Sequence, residues 1–347
     1  MNASKYRRFV LAKRPVGLPT ADVFRLEEAD VPEPAEGEVV AKTLYLSLDP
    51  YMRGRMNDAP SYTPPVAIGG VMDGGTVGQV IASRSDAFAE GDFVMGYGGW
   101  QEFFRLEAGQ VRKVDPAIAP ISTALGILGM PGHTAYGGLT EIGKPKPGET
   151  LVVAAALGAV GAVVGQIGKL RGCRVVGIAG SDEKCAYVKD DLGFDAAVSH
   201  RDPALAENLA AACPDGIDIY WENVGGPVFD AILPLLNPFA RIPVCGLIHW
   251  YNATEIPTVP DPTPKLMRSV LVKRLTIRGF IVFDFAHLQD QFLTEVGAWV
   301  RDGKISYRED IRDGFENAPA ALIDLLRGGN FGKMLVNVAA PQPRPTD

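Results

Sequence analysis

No cysteine precedes Cys173 in this chain, and its first histidine is His133. That absence excludes the close set of Cys, His and acidic ligands that a catalytic zinc requires. The four histidines (His133, His200, His249 and His287) lie far apart without ligand spacing, so each reads as a packing or surface residue and no metal site is expected. The four cysteines (Cys173, Cys185, Cys213 and Cys245) form no C-x-x-C pair. They read as reduced thiols, and a cytoplasmic location is expected. Basic excess is missing too: a net charge of −7 speaks against nucleic acid or an anionic membrane as the main partner. No apolar run reaches the length of a transmembrane helix, and Met1–Val10 leads into polar Lys13-Arg14-Pro15 without the apolar stretch of a signal peptide. A Gly-x-Ser-x-Gly elbow, a Walker loop and a Ser/His/Asp set are also lacking.

What is present suits a soluble two-domain protein: 347 residues, 47% of them apolar and 22% charged. The first 125 or so residues are rich in strands and turns, with strand-like runs at Glu38–Leu46, Gly74–Ala82 and Asp92–Met95 separated by glycines. From about Gly129 strands alternate with helices. Strands are expected at 151–156, 174–180, 196–199, 217–221, 241–247 and 276–283, which implies a doubly wound parallel sheet. The proline-rich run Glu255–Pro264 reads as a surface loop. A helix is expected over His287–Arg301. The segment Ile305–Val338 then has no place left in that sheet and is expected to return to the first domain. The expected division is 1–128 with 305–347 as a β-rich domain, and 129–304 as the α/β domain.

The run Leu151-Val-Val-Ala-Ala-Ala156-Leu-Gly158-Ala-Val-Gly161-Ala-Val-Val-Gly165 is a strand, a glycine turn and the start of a helix expected over Ala159–Leu170. Free N–H groups and the dipole at such a helix start attract a pyrophosphate. Gly158, Ala159, Val160 and Gly161 are therefore candidate cofactor residues, with Gly158 letting the backbone approach the phosphates. Gly161 and Gly165 would let the helix lie close to the sheet. Ala156 stands where the first glycine of a G-x-G-x-x-G motif is usual. About 20 residues further on, where an acidic residue would select NAD, the chain reads Gly180-Ser181-Asp182-Glu183-Lys184. Ser181 and Lys184 suit a 2′-phosphate, so NADP is favoured over NAD. Against that, Asp182 argues for NAD unless it opens a helix, and Lys184 also reads as an ordinary solvated lysine.

Without a metal, hydride transfer needs a substrate activated by its own electronics, such as a carbon–carbon double bond conjugated to a carbonyl. Hydride then adds at the β-carbon, charge collects on the carbonyl oxygen, and a hydroxyl or water must donate to it.

Seven stretches in order carry a family likeness: Ser47-Leu-Asp-Pro-Tyr-Met-Arg53, Gly129-Met-Pro-Gly-His-Thr-Ala-Tyr136, Ala156–Gly161, Gly180–Lys184, Glu222-Asn-Val-Gly-Gly226, Cys245-Gly-Leu-Ile-His-Trp-Tyr-Asn252 and Gly329-Asn-Phe-Gly-Lys333. The chain resembles the zinc-independent medium-chain dehydrogenase/reductases of the prostaglandin reductase (leukotriene B4 12-hydroxydehydrogenase) type, with the bacterial NADPH-dependent curcumin reductases nearest. The resemblance implies a Rossmann cofactor domain beside a GroES-like catalytic domain. It also implies NADPH-dependent reduction of α,β-unsaturated ketones and aldehydes, and a homodimer formed through edge strands of the cofactor domains. It assigns Lys184 to the 2′-phosphate. It further places Asn223, Cys245, Gly246, Tyr251, Phe280, Ile281, Val282 and Asn330 along the cofactor.

His200 stands where the family carries a tyrosine, next to the adenosine phosphate, which suggests cofactor affinity that varies with pH near neutrality. His249 and Trp250 are bulkier than the family's usual residues and are expected to narrow the pocket or favour flat aromatic substrates. Tyr251 is the first candidate to donate to the carbonyl oxygen, with water as the alternative proton source, and Tyr51 is the second. Thr134 is expected to face the cofactor or to cap a helix starting there. Rival readings are a quinone oxidoreductase of the same superfamily and a non-catalytic protein that keeps the NADPH fold.

Overall fold

A computed structural model describes residues 5–255 and 261–342 of the chain. Among the described residues fifteen strands follow one another along the chain. The first seven are β1 (Lys5–Leu11), β2 (Phe24–Asp30), β3 (Glu38–Ser47), β4 (Thr76–Ser83), β5 (Phe93–Gly96), β6 (Phe103–Glu107) and β7 (Arg112–Lys113). Then come β8 (Thr150–Ala154), β9 (Arg174–Ala179), β10 (Ala196–Ser199), β11 (Ile217–Trp221), β12 (Leu236–Val244) and β13 (Thr276–Gly279). The chain closes with β14 (Glu309–Asp313) and β15 (Lys333–Asn337). Two compact units result: Met1–Leu125 with Glu309–Asp347, and Gly126–Arg308.

In the first unit β1 and β2 form an antiparallel pair, while β14-β15-β3-β4-β5-β7 make a mostly antiparallel sheet with β6 also paired to β3. Its core explains why the chain's last segment belongs here. Trp100 is fully buried, stacked on Phe24 at 5.4 Å and edge-on to Phe9. Leu322 and Leu325 from the helix Ala318–Leu326, with Met334 and Val336 from β15, complete the same apolar cluster. Aromatic stacking and burial on this scale hold a discontinuous unit together without a disulfide.

The second unit is a six-stranded sheet of order β10-β9-β8-β11-β12-β13, parallel throughout. Strand β8 reads Thr-Leu-Val-Val-Ala and is buried along its whole length, the pattern of a central parallel strand covered on both faces. The strand order reverses between β8 and β11, and the crevice beyond their carboxyl ends is where such sheets take ligands.

Several expected boundaries change. The helix after the glycine turn starts at Gly161, not Ala159, and the helix expected over His287–Arg301 is a 3-10 segment Val282–Leu288 followed by an α-helix Gln289–Arg301. The loop expected over Glu255–Pro264 is cut short at its far end. A helix runs from Thr263 to Lys273 with Pro264 in its first turn, where the missing N–H costs no hydrogen bond. Whether that loop closes over substrate concerns residues 256–260, which lie outside the described residues, as does most of the proline-rich tail at 341–345. Among the described residues no helix is long and apolar enough to cross a membrane.

Candidate functional site

The turn after β8 owes its shape to two backbone facts. Ala155 adopts a left-handed conformation, φ +51°, while Ala156 continues the pairing by donating its N–H to Ile178 O at 2.9 Å. The residue bearing the strained dihedral thus lies one place before the alanine that replaces the motif's usual glycine. Ala156 needs no glycine freedom. Gly158 N–H donates back to Ala155 O at 2.9 Å, and the helix Gly161–Leu170 follows.

A Cβ added at Gly161 would lie 2.3 Å from Ala155 O, so this position admits no side chain. The expected role of Gly165 is corrected: its missing Cβ makes room for the Phe194 ring, at 1.8 Å. The close approach to the sheet belongs instead to Gly168, where a Cβ would meet Leu151 at 2.5 Å and Val175 at 3.2 Å. At Gly158 an added Cβ would meet only Ala155, at 3.1 Å, and otherwise open space. The first helical turn leaves N–H groups without acceptors in the helix, so this open glycine face fits an anionic group.

The tip of β9 is built for charge of the same sign. Ser181 is the N-cap of the helix Asp182–Asp190, its Oγ accepting from Lys184 N at 3.3 Å. Asp182 is an exposed first-turn residue, where the helix dipole favours an acid. His200 N–H donates to Ala179 O, and its ring stands beside Gly180, whose added Cβ would lie 3.2 Å from Nε2. The partial burial of His200 lowers its pKa, and the charges of Arg201 and Lys184 push the same way. Arg201 and Lys184 thus bring positive charge to the strand tip beside His200, which suits a phosphate. Arg201 was not singled out from the sequence, although its place beside His200 was the signal.

At the strand-order reversal Asn223 ties two strands together. Its Nδ2 donates to Ala154 O at 2.8 Å and its Oδ1 accepts from Trp221 Nε1 at 3.2 Å. Glu222, buried and missed by the sequence reading, accepts on Oε1 from the N–H groups of Val224 (2.6 Å) and Gly225 (2.8 Å) and from the Tyr220 hydroxyl (3.1 Å). Burial raises its pKa despite these donors, and Oε2 has no hydrogen-bond partner. The backbone oxygen of Glu222 accepts from Cys245 and Gly246, joining the ends of β11 and β12.

The segment after β12 folds over this junction. Ile248 and His249 donate their N–H groups to Asn223 O and Val224 O. The Tyr251 hydroxyl accepts from Leu247 N at 3.4 Å, and an added Cβ at Gly246 would lie 3.0 Å from that oxygen. His249 and Trp250 pack onto the turn Gly225–Gly226, whose φ values are +76° and +57°. Added Cβ atoms there would meet Trp250 Nε1 at 3.1 Å and His249 Cδ2 at 2.6 Å. Their bulk therefore fills the space above two side-chain-free residues. Cys245 is half-buried, and burial pushes its thiol up to about 12.

Other candidates prove to be packing groups as much as lining groups. Phe280 is buried in an aromatic cluster, 5.6 Å from Trp221 and 5.2 Å from Phe285, while Ile281 and Val282 are half-buried. The expected cap at Thr134 is corrected. The helix starts at Met130, and Thr134 is one turn inside it, donating to Met130 O at 2.7 Å.

In the first unit Tyr51 opens the helix Tyr51–Arg55. Burial holds its pKa well above the usual phenol value, reinforced by the charges of Asp49 and Asp73, so it stays protonated. Asn330 is half-buried and donates to Gly332 O at 2.7 Å.

Two family models match the chain: one described as the N-terminal domain of oxidoreductase, over residues 7–114, and one described as zinc-binding dehydrogenase, over residues 159–297. Among the described residues no group of three or more His, Cys, Asp or Glu is placed to hold a metal ion. The chain is 58% identical over 334 residues to an NADPH-dependent curcumin reductase of Escherichia coli (strain K12), covering 96% of this chain and 97% of that one. It is 41% identical over 335 residues to prostaglandin reductase 1 of Bos taurus, covering 95% and 98%. The crystal structure of CurA in complex with NADPH from Vibrio vulnificus matches with a TM-score of 0.93 and 55% identity, covering 96% of this chain and all of that one. A quinone oxidoreductase of Pseudomonas syringae pv. Tomato DC3000 shares the fold, with a TM-score of 0.75 at 20% identity.

Proposed function

The chain belongs to the zinc-independent medium-chain dehydrogenase/reductases of the prostaglandin reductase and curcumin reductase type, and we propose that it reduces the carbon–carbon double bond of α,β-unsaturated ketones and aldehydes with NADPH. The observation that carries this reading is the 58% identity to a curcumin reductase across 96% of the chain. The quinone reading rests on a distant likeness of fold and has no comparable support.

The residues fit the cofactor. The open face of Gly158 and the amides of Ala159, Val160 and Gly161 would hold the pyrophosphate. Ser181, Lys184 and His200, joined by Arg201, would hold the 2′-phosphate. Asn223, Cys245, Gly246, Tyr251, Ile281 and Val282, with Thr134 and Phe280, would hold the nicotinamide end; Asn330, in the other unit, stays a cofactor candidate by the family likeness. When bound, NADPH supplies the hydride that adds to the β-carbon.

The chain's own part is to bind and orient, and to donate to the oxygen where charge develops. Two phenols suit that task. The Tyr251 hydroxyl accepts from Leu247 N, which holds its oxygen beside the segment that follows β12. Tyr51 is kept protonated by its surroundings. In this reading the mixed β unit is the GroES-like catalytic domain. A homodimer through β13 is supported by the exposure of that whole edge strand and of Met267, Leu271 and Val272 on the neighbouring helix. Four unpaired cysteines support a reducing, cytoplasmic setting.

The test is NADPH oxidation with 3-nonen-2-one, a curcumin-like dione and a naphthoquinone. Enone and dione turnover well above quinone turnover is expected; the reverse order refutes the assignment. Removing one oxyanion donor costs on the order of 10²–10³ in kcat. Tyr251→Phe with less than a threefold drop excludes that phenol from the role.

A further inference from the structure

We propose that Lys333 is a positioning residue for the reduction, acting through Asp49 to set the place and charge environment of the Tyr51 phenol. The proposal rests on the reading of Tyr51 as a donor to the substrate oxygen, and deepens it.

Lys333 and Asp49 are both buried, 4% and 6% exposed. The Lys333 ammonium donates to Leu48 O at 2.8 Å and to Asp49 Oδ1 at 2.9 Å. The Ser47 hydroxyl donates to the other carboxylate oxygen, and Leu48 N–H donates to Met334 O at 3.2 Å. The start of β15 therefore grips Leu48–Asp49 by both side chain and backbone. Only Pro50 separates that clamp from Tyr51, and its ring fixes φ at −59°. Met52 N–H then donates to Asp49 O at 3.1 Å, so the clamp leads directly into the helix that carries the phenol. Little slack remains between the ion pair and Tyr51.

The charges point the same way. Asp49 is the leading charge that raises the Tyr51 pKa, and Lys333 neutralises that carboxylate. Across the strand pair Lys333 also faces Glu309, whose carboxyl is raised by burial and accepts from Ser122 at 2.8 Å. A buried ion pair is a poor way to gain stability, since apolar residues of similar volume often do as well or better. Such residues would not supply directed bonds to the segment ahead of Tyr51. Both partners lie in motifs noted in the sequence, Asp49 within Ser47–Arg53 and Lys333 at the end of Gly329–Lys333, and the ion pair joins those motifs.

The experiment is a double-mutant cycle between Lys333→Met and Tyr51→Phe, read as kcat for 3-nonen-2-one at saturating NADPH. Lys333→Met leaves the buried Asp49 carboxylate without its partner, so the cycle is repeated with Asp49→Asn/Lys333→Met, which removes that charge as well. A loss of about 10-fold in kcat is expected with Tyr51 present, and less than 2-fold in the Tyr51→Phe background. A purely structural role lowers the melting temperature but gives effects that multiply across the cycle; that result, or an unchanged kcat, overturns the proposal. If Tyr51→Phe alone leaves kcat unchanged, the reading of Tyr51 itself fails, and the proposal with it.

Discussion

Gly158 and Gly161 lie three residues apart in one turn, and the structure separates what each contributes. Neither has a positive φ, so alanine fits the backbone at both positions. At Gly161 the new Cβ would stand 2.3 Å from Ala155 O, a backbone atom that cannot swing away. Moving the turn to relieve that contact should cost about 1–3 kcal/mol, as overpacking usually does. For a unit the size of Gly126–Arg308 each kcal/mol lowers the melting temperature by roughly 2–4 °C. At Gly158 the nearest contact is 3.1 Å, and a shift of a few tenths of an ångström relieves it. The apo protein should therefore melt almost as wild type. Its methyl group, however, occupies the face offered to the pyrophosphate. Loss of one charge-assisted hydrogen bond is worth about 1.5–3 kcal/mol, or roughly 10- to 100-fold in Kd. The assays are thermal melting without cofactor and titration of NADPH fluorescence. Gly158→Ala binding NADPH as tightly as wild type would refute the turn as the pyrophosphate site. Wild-type melting of Gly161→Ala would refute the argument from close approach.

Lys184→Ala should weaken NADPH by roughly 10- to 100-fold through loss of a charge-assisted contact and leave NADH affinity within twofold; equal losses in parallel titrations would place the lysine elsewhere. His200 has its pKa lowered by partial burial, Arg201 and Lys184, so it is mostly neutral at pH 7 and above. A bound phosphate favours its charged form, so any gain in affinity from His200 grows as pH falls. NADPH titrations from pH 8 to pH 5.5 with His200→Tyr should therefore converge with wild type at the alkaline end and diverge on the acid side. Glu222 has a folded pKa raised by burial, so folding loses stability from it as pH rises through the carboxylate range. Glu222→Gln should melt no lower than wild type at pH 7 and should flatten that pH dependence; a marked drop would mean that the charged carboxylate is needed by the Val224 and Gly225 amides.

The elements legible in the sequence were those whose burial leaves a compositional trace. Strand β8 is apolar throughout because it is covered on both faces, and the alternation of strands and helices carried the parallel order with it. Other features leave no such trace. Ala155 is left-handed without being glycine, so the turn's most constrained dihedral is invisible beside the glycines around it. Gly168, rather than Gly165, meets the sheet, because facing direction depends on where the helix starts, and that start was two residues later than expected. The Asp49–Lys333 pair spans 284 positions, and no local pattern announces a contact between segments so far apart.

The family motifs raise a related point, because they mix chemistry with scaffolding that no motif match can sort. Within Glu222–Gly226, Asn223 bridges two strands beyond the sheet's reversal, whereas Glu222 is a buried anion held by the turn's own amides. Those amides are already engaged, so this turn offers less to a phosphate than the turn at Gly158 does. The same sorting applies to His249 and Trp250. Both are conspicuous in the sequence, and both lie against Gly225–Gly226, where their rings occupy the room the two glycines leave. Trp250→Ala should accordingly loosen this turn before it alters substrate preference. NADPH affinity and kcat would fall together for every enone, while the ranking of flat against aliphatic substrates stays as in wild type. A selective loss of aromatic enones alone would instead return Trp250 to the substrate wall.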